Sequence, residues 1–245
     1  MKAQLLILCS AVMLALATHG GIIVGGGSFA NSGYIPDGSA IGSSGTATDS
    51  GLGSVFQDVS VSLNISGGYN GDLYAYLSHG GVLVPLLNRV GVGSAHSGSS
   101  AFGYSDSGFN ITLTSSGNDV HWYRDLVNPS GGQLTTEAWQ PDGRAIDPLS
   151  APSSFDSSSG PVNFNSYSSV NPNGTWTLFI ADLSSGEQSQ LVSWSLDITA
   201  VPEPVNVALG ILAGVFLVVA LGRSQQVRNR VRRWRVAAVE WINAV

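Results

Sequence analysis

Val59-Ser60-Val61-Ser62-Leu63-Asn64-Ile65 is the stretch on which the fold turns. Its four aliphatic residues fall on one face of an extended chain and its Ser, Ser and Asn on the other. A period of two over seven residues predicts a half-buried antiparallel strand. Immediately downstream, Gly67-Gly68-Tyr69-Asn70-Gly71 reads as a turn. Leu73, Ala75 and Leu77 then alternate with Tyr74 and Tyr76, and Val82 to Leu87 follows Gly80-Gly81. Three further strands are predicted from Phe109, Ile111 and Leu113, from Trp176, Leu178 and Ile180, and from Val192, Trp194, Leu196 and Ile198. No 3.6-residue period intervenes, so the pattern predicts an all-β chain folded as an antiparallel β-sandwich.

Outward from these strands the signal weakens. Residues 18–53 are rich in Gly, Ser and Ala and read as a partly ordered lead-in, with Gly21 to Phe29 holding a first edge strand. Gly25-Gly26-Gly27 lacks the strand-to-helix context and the Lys of a phosphate loop. Asn128 to Ser159 is irregular, and stretches of that length cross the end of a sandwich or carry function.

The 245 residues suffice for a packed core, but only 11% are charged, against about a quarter in an ordinary soluble domain. One Cys excludes a disulfide framework and a Cys-based zinc site. Between Thr18 and Val201 three arginines (Arg89, Arg124, Arg144) stand against fourteen Asp and Glu, a net of −11. Phosphate contacts need cations, so nucleic acid is excluded as a partner of this region.

Both ends differ from the middle. Lys2, the apolar run Leu5 to Leu16, and Ala15-Leu16-Ala17 follow the order of a secretory signal peptide, residues 1–17, cut after Ala17. At the other end Val205 to Gly222 is almost uninterrupted apolar sequence. As a helix it would extend about 27 Å, close to the hydrocarbon thickness of a bilayer. Pro202 and Pro204 precede it, and Arg223, Arg228, Arg230, Arg232, Arg233 and Arg235 follow. The positive-inside rule then puts the acidic domain outside and the tail, 223–245, in the cytoplasm.

Val201-Pro202-Glu203-Pro204, an apolar span and Arg223 together resemble the PEP-CTERM sorting signal of bacterial exported proteins. The resemblance covers about the last fifth of the chain. It implies recognition of Pro202, Glu203, Pro204 and Arg223 by an exosortase, an integral-membrane Cys protease, with processing near Glu203. The family's pattern closes soon after its basic cluster, whereas here 224–245 continue. There Val227, Val231, Trp234, Ala238 and Trp241 recur at helical spacing between arginines, which reads as a basic amphipathic helix on the inner leaflet.

A second resemblance lies in the strands. Gly174-Thr175-Trp176-Thr177-Leu178-Phe179-Ile180-Ala181-Asp182 and Trp194-Ser195-Leu196-Asp197-Ile198 resemble the closing motifs of the proprotein convertase P domain. The run from Val59 to Ile65, then Gly71-Asp72-Leu73 and Leu77, resembles its opening. The middle departs from the family, whose Ser-Pro-x-Gly turn is Ser78-His79-Gly80-Gly81 here. The resemblance spans about Ser54 to Thr199 and implies a jelly-roll β-sandwich over 54–200, without the protease domain it accompanies in convertases.

Motifs of catalysis are missing: there is no G-x-S-x-G and no H-E-x-x-H. His79, His96 and His121 stand far apart, as solvated or edge-strand residues. Asp72 and Asp182, in the P-domain-like motifs, read first as turn caps. Alternatively they are oxygen ligands for Ca²⁺, with Asp142, Asp147 and Asp156 as further candidates. Trp122, Tyr123 and Trp139, with Tyr74 and Tyr76, are aromatics that either pack inside or stack on a ligand such as a sugar ring. Asn64, Asn110 and Asn173 open N-x-[S/T] triplets that a Ser/Thr-rich sequence holds by chance.

The expectation is an exported, non-enzymatic protein of the cell surface or exopolysaccharide matrix, held as a precursor in the inner membrane. Its partners would be an exosortase and exopolysaccharide or another exported protein. Two alternatives stay open: a Ca²⁺-dependent carbohydrate- or protein-binding module, and a small hydrolase with its site in the 128–159 loop.

Overall fold

The computed structural model describes residues 20–23, 30–135, 138–201, 210–226 and 228–229. Residues 18–201 form one unit. Its strands are β1 (Gly20–Ile23), β2 (Ser39–Asp49), β3 (Val55–Gly67), β4 (Leu73–His79), β5 (Val82–Asn88), β6 (Gly108–Asp119), β7 (Ala138–Gln140), β8 (Gly174–Asp182) and β9 (Ser189–Val201). One sheet has the order β1-β9-β3-β6-β7 and the other β2-β8-β4-β5. All ladders are antiparallel except the short β6–β7 pairing.

The period-two pattern sets what is buried. Val59, Val61, Leu63 and Ile65 of β3 face inward, Leu63 standing opposite Ile111 of β6 on one side and Trp194 of β9 on the other. From the second sheet Leu73, Ala75, Leu77, Trp176, Leu178 and Ile180 complete the same core. Each large apolar side chain so withdrawn from water contributes about 1.5–3 kcal/mol. Trp176, fully buried, donates its indole N–H to the Pro172 carbonyl, and Tyr167 donates its hydroxyl to the Leu77 carbonyl. Both of these polar tips therefore enter the core with a partner.

Three features depart from the sequence reading. Within the expected lead-in, Ser39–Asp49 is a full strand, paired with β8 from Ser43↔Ile180 to Asp49↔Gly174. Its inward residues near the pairing are only Gly45 and Ala47, so no apolar alternation marks it; the ladder and the Thr48–Thr175 hydroxyl contact hold it instead. In β9, Val192 faces solvent and Leu191 faces the core, because a bulge shifts the β3–β9 register between Asn64↔Ser193 and Ile65↔Leu191. The 128–159 segment carries β7 and a one-turn helix, Pro152–Asp156, and runs along β5, where the Asp142 and Gly143 N–H groups donate to Leu86 and Pro85.

Residues 210–226 are helical, with Ile211, Leu212, Val215, Phe216, Leu217, Val219 and Leu221 exposed around the whole circumference. Among the described residues no helix is long and apolar enough to cross a membrane. Residues 205–209 of the expected span, the signal-peptide region and all but a few residues of the basic tail lie outside the described residues.

Candidate functional site

Two groups of polar side chains penetrate the unit. The first begins where the turn Asn70–Asp72 enters β4. Here the chain passes another backbone so closely that a Cβ on Gly71 would stand 2.4 Å from the Phe102 carbonyl oxygen, and one on Gly103 would stand 2.6 Å from the Gly71 Cα. Glycine is required at both positions. Asn70 locks the turn: it accepts from the Gly108 N–H and donates to the Gly108 carbonyl and the Tyr123 hydroxyl. Asp72 follows, and Asp182, at the end of β8, pairs in the ladder with Leu73 beside it. The Asp72 carbonyl accepts from Leu183, which ties the two segments together.

Sequence reasoning thus named a pair that the fold does bring together. Both carboxyls are buried. Burial pushes Asp182 up to about 6, with the charges of Asp72 and Asp37 adding to the rise and the Ser189 hydrogen bond opposing it. Burial also raises Asp72, against the pull of Ser184 and Arg89. Asp182 Oδ2 accepts from the Ser189 hydroxyl at 3.1 Å, while Oδ1 has no well-formed hydrogen bond, the Ser184 N–H approaching without the geometry of one. Among the described residues no group of three His, Cys, Asp or Glu side chains could hold a metal ion.

The second group was not legible as a unit. The 3-10 segment Val120–Asp125 follows β6 and is capped by Asp119, which accepts from the His121 N–H. His121 is fully buried, with Nδ1 2.6 Å from Asp142 Oδ2 and Nε2 3.1 Å from the Val92 carbonyl oxygen. Asp142 also accepts from the Asn88 N–H and from Arg144, whose guanidinium bridges on to both oxygens of Asp119. Burial works to raise Asp142, but the charges and hydrogen bonds of His121 and Arg144 outweigh it and hold the carboxyl below the usual range. Nearby, Asp106 takes hydrogen bonds from Tyr123 and Arg124, both at 2.7 Å, and from Gly131. Burial raises it too, and those donors again prevail, leaving it below the usual range. Arg89 donates to the Gly71 carbonyl. All three arginines of 18–201 are therefore engaged within the unit and none is exposed.

Above this network lies a half-open cluster. His96 stacks on Trp122 at 3.9 Å between ring centroids, with its Nδ1 at 2.6 Å from Asp125. Asp125 also accepts from the Ser97 N–H, and Asp156, at the end of the one-turn helix, accepts from the N–H and hydroxyl of Ser94. Two carboxylates thus clamp the 94–97 loop by its backbone. The Arg144 guanidinium carbon lies 5.2 Å from the Trp122 ring centre.

Several expectations are corrected here. Tyr123 and Trp139 offer no stacking surface; they are buried core residues, Tyr123 on the 120–125 turn and Trp139 on the edge strand β7. Trp122 is half-buried, with His96 stacked on its ring. Tyr74 and Tyr76 are also half-buried, on the outer face of β4, where Tyr76 stacks on Phe179 at 4.8 Å. His79 and His121 are not solvated. Both are buried because backbone carbonyls, and for His121 a carboxylate, replace water at their nitrogens. Asp142 is likewise an internal anchor, while Asp147 caps a turn by accepting from the Leu149 N–H. Pro202, Glu203 and Pro204 lie outside the described residues, and Arg223 sits on the helix over 210–226.

The chemistry available follows from these contacts. A His–Asp pair works as a base when the imidazole's second nitrogen meets a nucleophile or water. In His121 that nitrogen is occupied by a carbonyl. In His96, among the described residues, no hydroxyl is hydrogen-bonded to Nε2.

No family model and no curated protein matches the chain. Among solved structures the chain is similar to the serine protease of Aeromonas sobria in complex with its chaperone, at 16% identity and a TM-score of 0.35. It is also similar to the Aeromonas sobria serine protease alone, at 14% identity and a TM-score of 0.34. Each match covers 74% of this chain and 26% of the other, so the chain corresponds to about a quarter of the length of those proteins.

Proposed function

We propose that the chain is an exported bacterial protein without catalytic activity, serving at the cell surface or in the exopolysaccharide matrix. In this reading a jelly-roll, P-domain-like unit is displayed outside the cytoplasm. The precursor is held in the inner membrane and sorted by an exosortase through Pro202, Glu203, Pro204, the apolar span 205–222 and Arg223. The observation that carries it is the C-terminal segment. Its described part is helical and apolar on every side, it follows the Pro-Glu-Pro, and it runs into arginines. A helix apolar all round belongs in a core or a bilayer. The exposed carboxylates Asp37, Asp125, Glu187 and Asp197, with every arginine engaged inside, also suit a solvated anionic surface better than a nucleic-acid partner.

The test is the mass of the mature protein in a host with and without exosortase. A shorter product only in the exosortase-positive host supports sorting, and Glu203→Ala should abolish it while leaving membrane insertion intact. Identical masses in both hosts would reduce the segment to a plain anchor. Val215→Arg should cost insertion about 2.5–3.5 kcal/mol and release the precursor from the membrane.

The Asp72–Asp182 pair supports a second reading, a Ca²⁺-dependent binding module. Two neighbouring buried carboxyls with an oxygen short of donors are relieved by a divalent cation, and Ca²⁺ takes 6–8 oxygens, many of which backbone carbonyls can supply. Asp72 and Asp182 would hold the ion. At 100 times its dissociation constant Ca²⁺ would add about 2.7 kcal/mol, a rise in melting temperature that chelator reverses; no shift in either direction leaves the pair as turn caps.

A further inference from the structure

His79 closes β4, and its buried ring lies between two oxygens that can only accept. Nδ1 is 2.9 Å from the Thr175 carbonyl and Nε2 is 2.7 Å from the Asn171 carbonyl. A neutral imidazole has one N–H and can satisfy one of them; only the imidazolium satisfies both. The ring also lies parallel to Trp176, 4.0 Å away and tilted by 8°, where the indole face favours a cation. Asn171 lies in the loop that leads into β8, and Thr175 is the second residue of that strand. That loop is fixed at its other side by Asn173, which accepts from the Gly51 and Leu52 N–H groups and donates to the Leu52 carbonyl.

We infer that His79 is a proton-dependent clasp: protonated, it ties the 171–175 loop to the end of β4, and loss of one ring proton opens one of the two ties. The groups around it do not provide an alternative source of charge. β5 and residues 168–173 carry no titratable side chain, and Asp182 stands at the far end of β8. Tyr167, whose ring meets Trp176 edge-on, is held neutral by burial. Asp49, the ladder partner of Gly174, takes the Ser50 N–H. The imidazolium can donate to both carbonyls and the neutral ring to one, so deprotonation in the range in which histidine changes charge, about 5 to 8, removes one of the two ties. For a domain displayed outside the cytoplasm this gives a firmer loop in acidic surroundings.

The experiment uses the full chain in detergent micelles, labelled with ¹⁵N at histidine, with His79 assigned from the through-space contact of its ring with Trp176. At pH 5.5 both His79 ring nitrogens should be protonated, and the Asn171 to Thr175 amides should lose protection as pH is raised to 8. His79→Gln should remove this pH-dependent loss of protection at the Asn171 to Thr175 amides, while His96→Gln keeps it. One unprotonated ring nitrogen at pH 5.5 overturns the clasp even if the variant fails to fold, and so does an unchanged pH response in His79→Gln.

Discussion

Asp142 and Asp182 are the same residue type, equally buried, at different places in one unit, and their acidities move in opposite directions. Asp142 meets His121, the Asn88 N–H and the Arg144 guanidinium. Asp182 receives one hydroxyl and faces Asp72 and Asp37. Burial penalises the charged form of both, so the donors decide whether a buried carboxylate is an anchor or a liability. The region around Asp142 is built to keep its charge; the end of β8 is built to give its charge up, to a proton or to a cation.

The largest effect expected from this contrast is at the anchored end. Removing one partner from a buried ion pair strands the other, so His121→Ala or Arg144→Met should destabilise the unit by about 3–5 kcal/mol, read from urea unfolding at pH 7. A loss below 1 kcal/mol would mean that water reaches Asp142 and that the network is not closed. Because the folded-state acidity of Asp142 lies below its ordinary range, its contribution is complete at neutral pH and is lost as pH falls below that range.

Asp182 should respond with the opposite sign. Its carboxyl is raised to about 6 in the folded state, so the folded chain holds this proton at a pH where the unfolded chain has released it. Its contribution to stability therefore declines as pH rises from about 4 to 6. Asp182→Asn should remove that decline and be stabilising or neutral at pH 7.5 in chelator, by an amount on the order of 1 kcal/mol. A clear destabilisation there would place the charged form of Asp182 in a favourable contact and erase the contrast with Asp142.

The smallest effect belongs to the half-open His96–Asp125 pair, whose side chains are 32% and 38% exposed. Water screens such pairs, so Asp125→Asn should cost under about 1 kcal/mol at low salt and less at high salt. Its larger consequence should be faster amide exchange at Ser97, whose N–H the carboxylate accepts. A cost like that of Arg144→Met would show that the cluster above Trp122 is continuous with the buried network.

The sequence by itself determined the strands that alternate. Val59 to Ile65, Leu73 to Leu77, Phe109 to Leu113 and Trp176 to Ile180 each carry enough apolar side chain on one face that no other burial is available to them. It also marked Asp72 and Asp182 as acids beside strand ends. Only the tertiary structure decided what has no local signature. Ser39–Asp49 is a strand because β8 offers it a ladder, and Val192 points outward because β9 bulges at that residue where it pairs with β3. The network of Asp119, His121, Asp142 and Arg144 joins β6, a 3-10 turn and the segment after β7. Its residues are up to 25 positions apart, and hydrogen bonds between side chains at that separation follow no period that a sequence can display. Buried His79 is the sharpest case: its partners are two backbone carbonyls, which every residue carries and no sequence distinguishes.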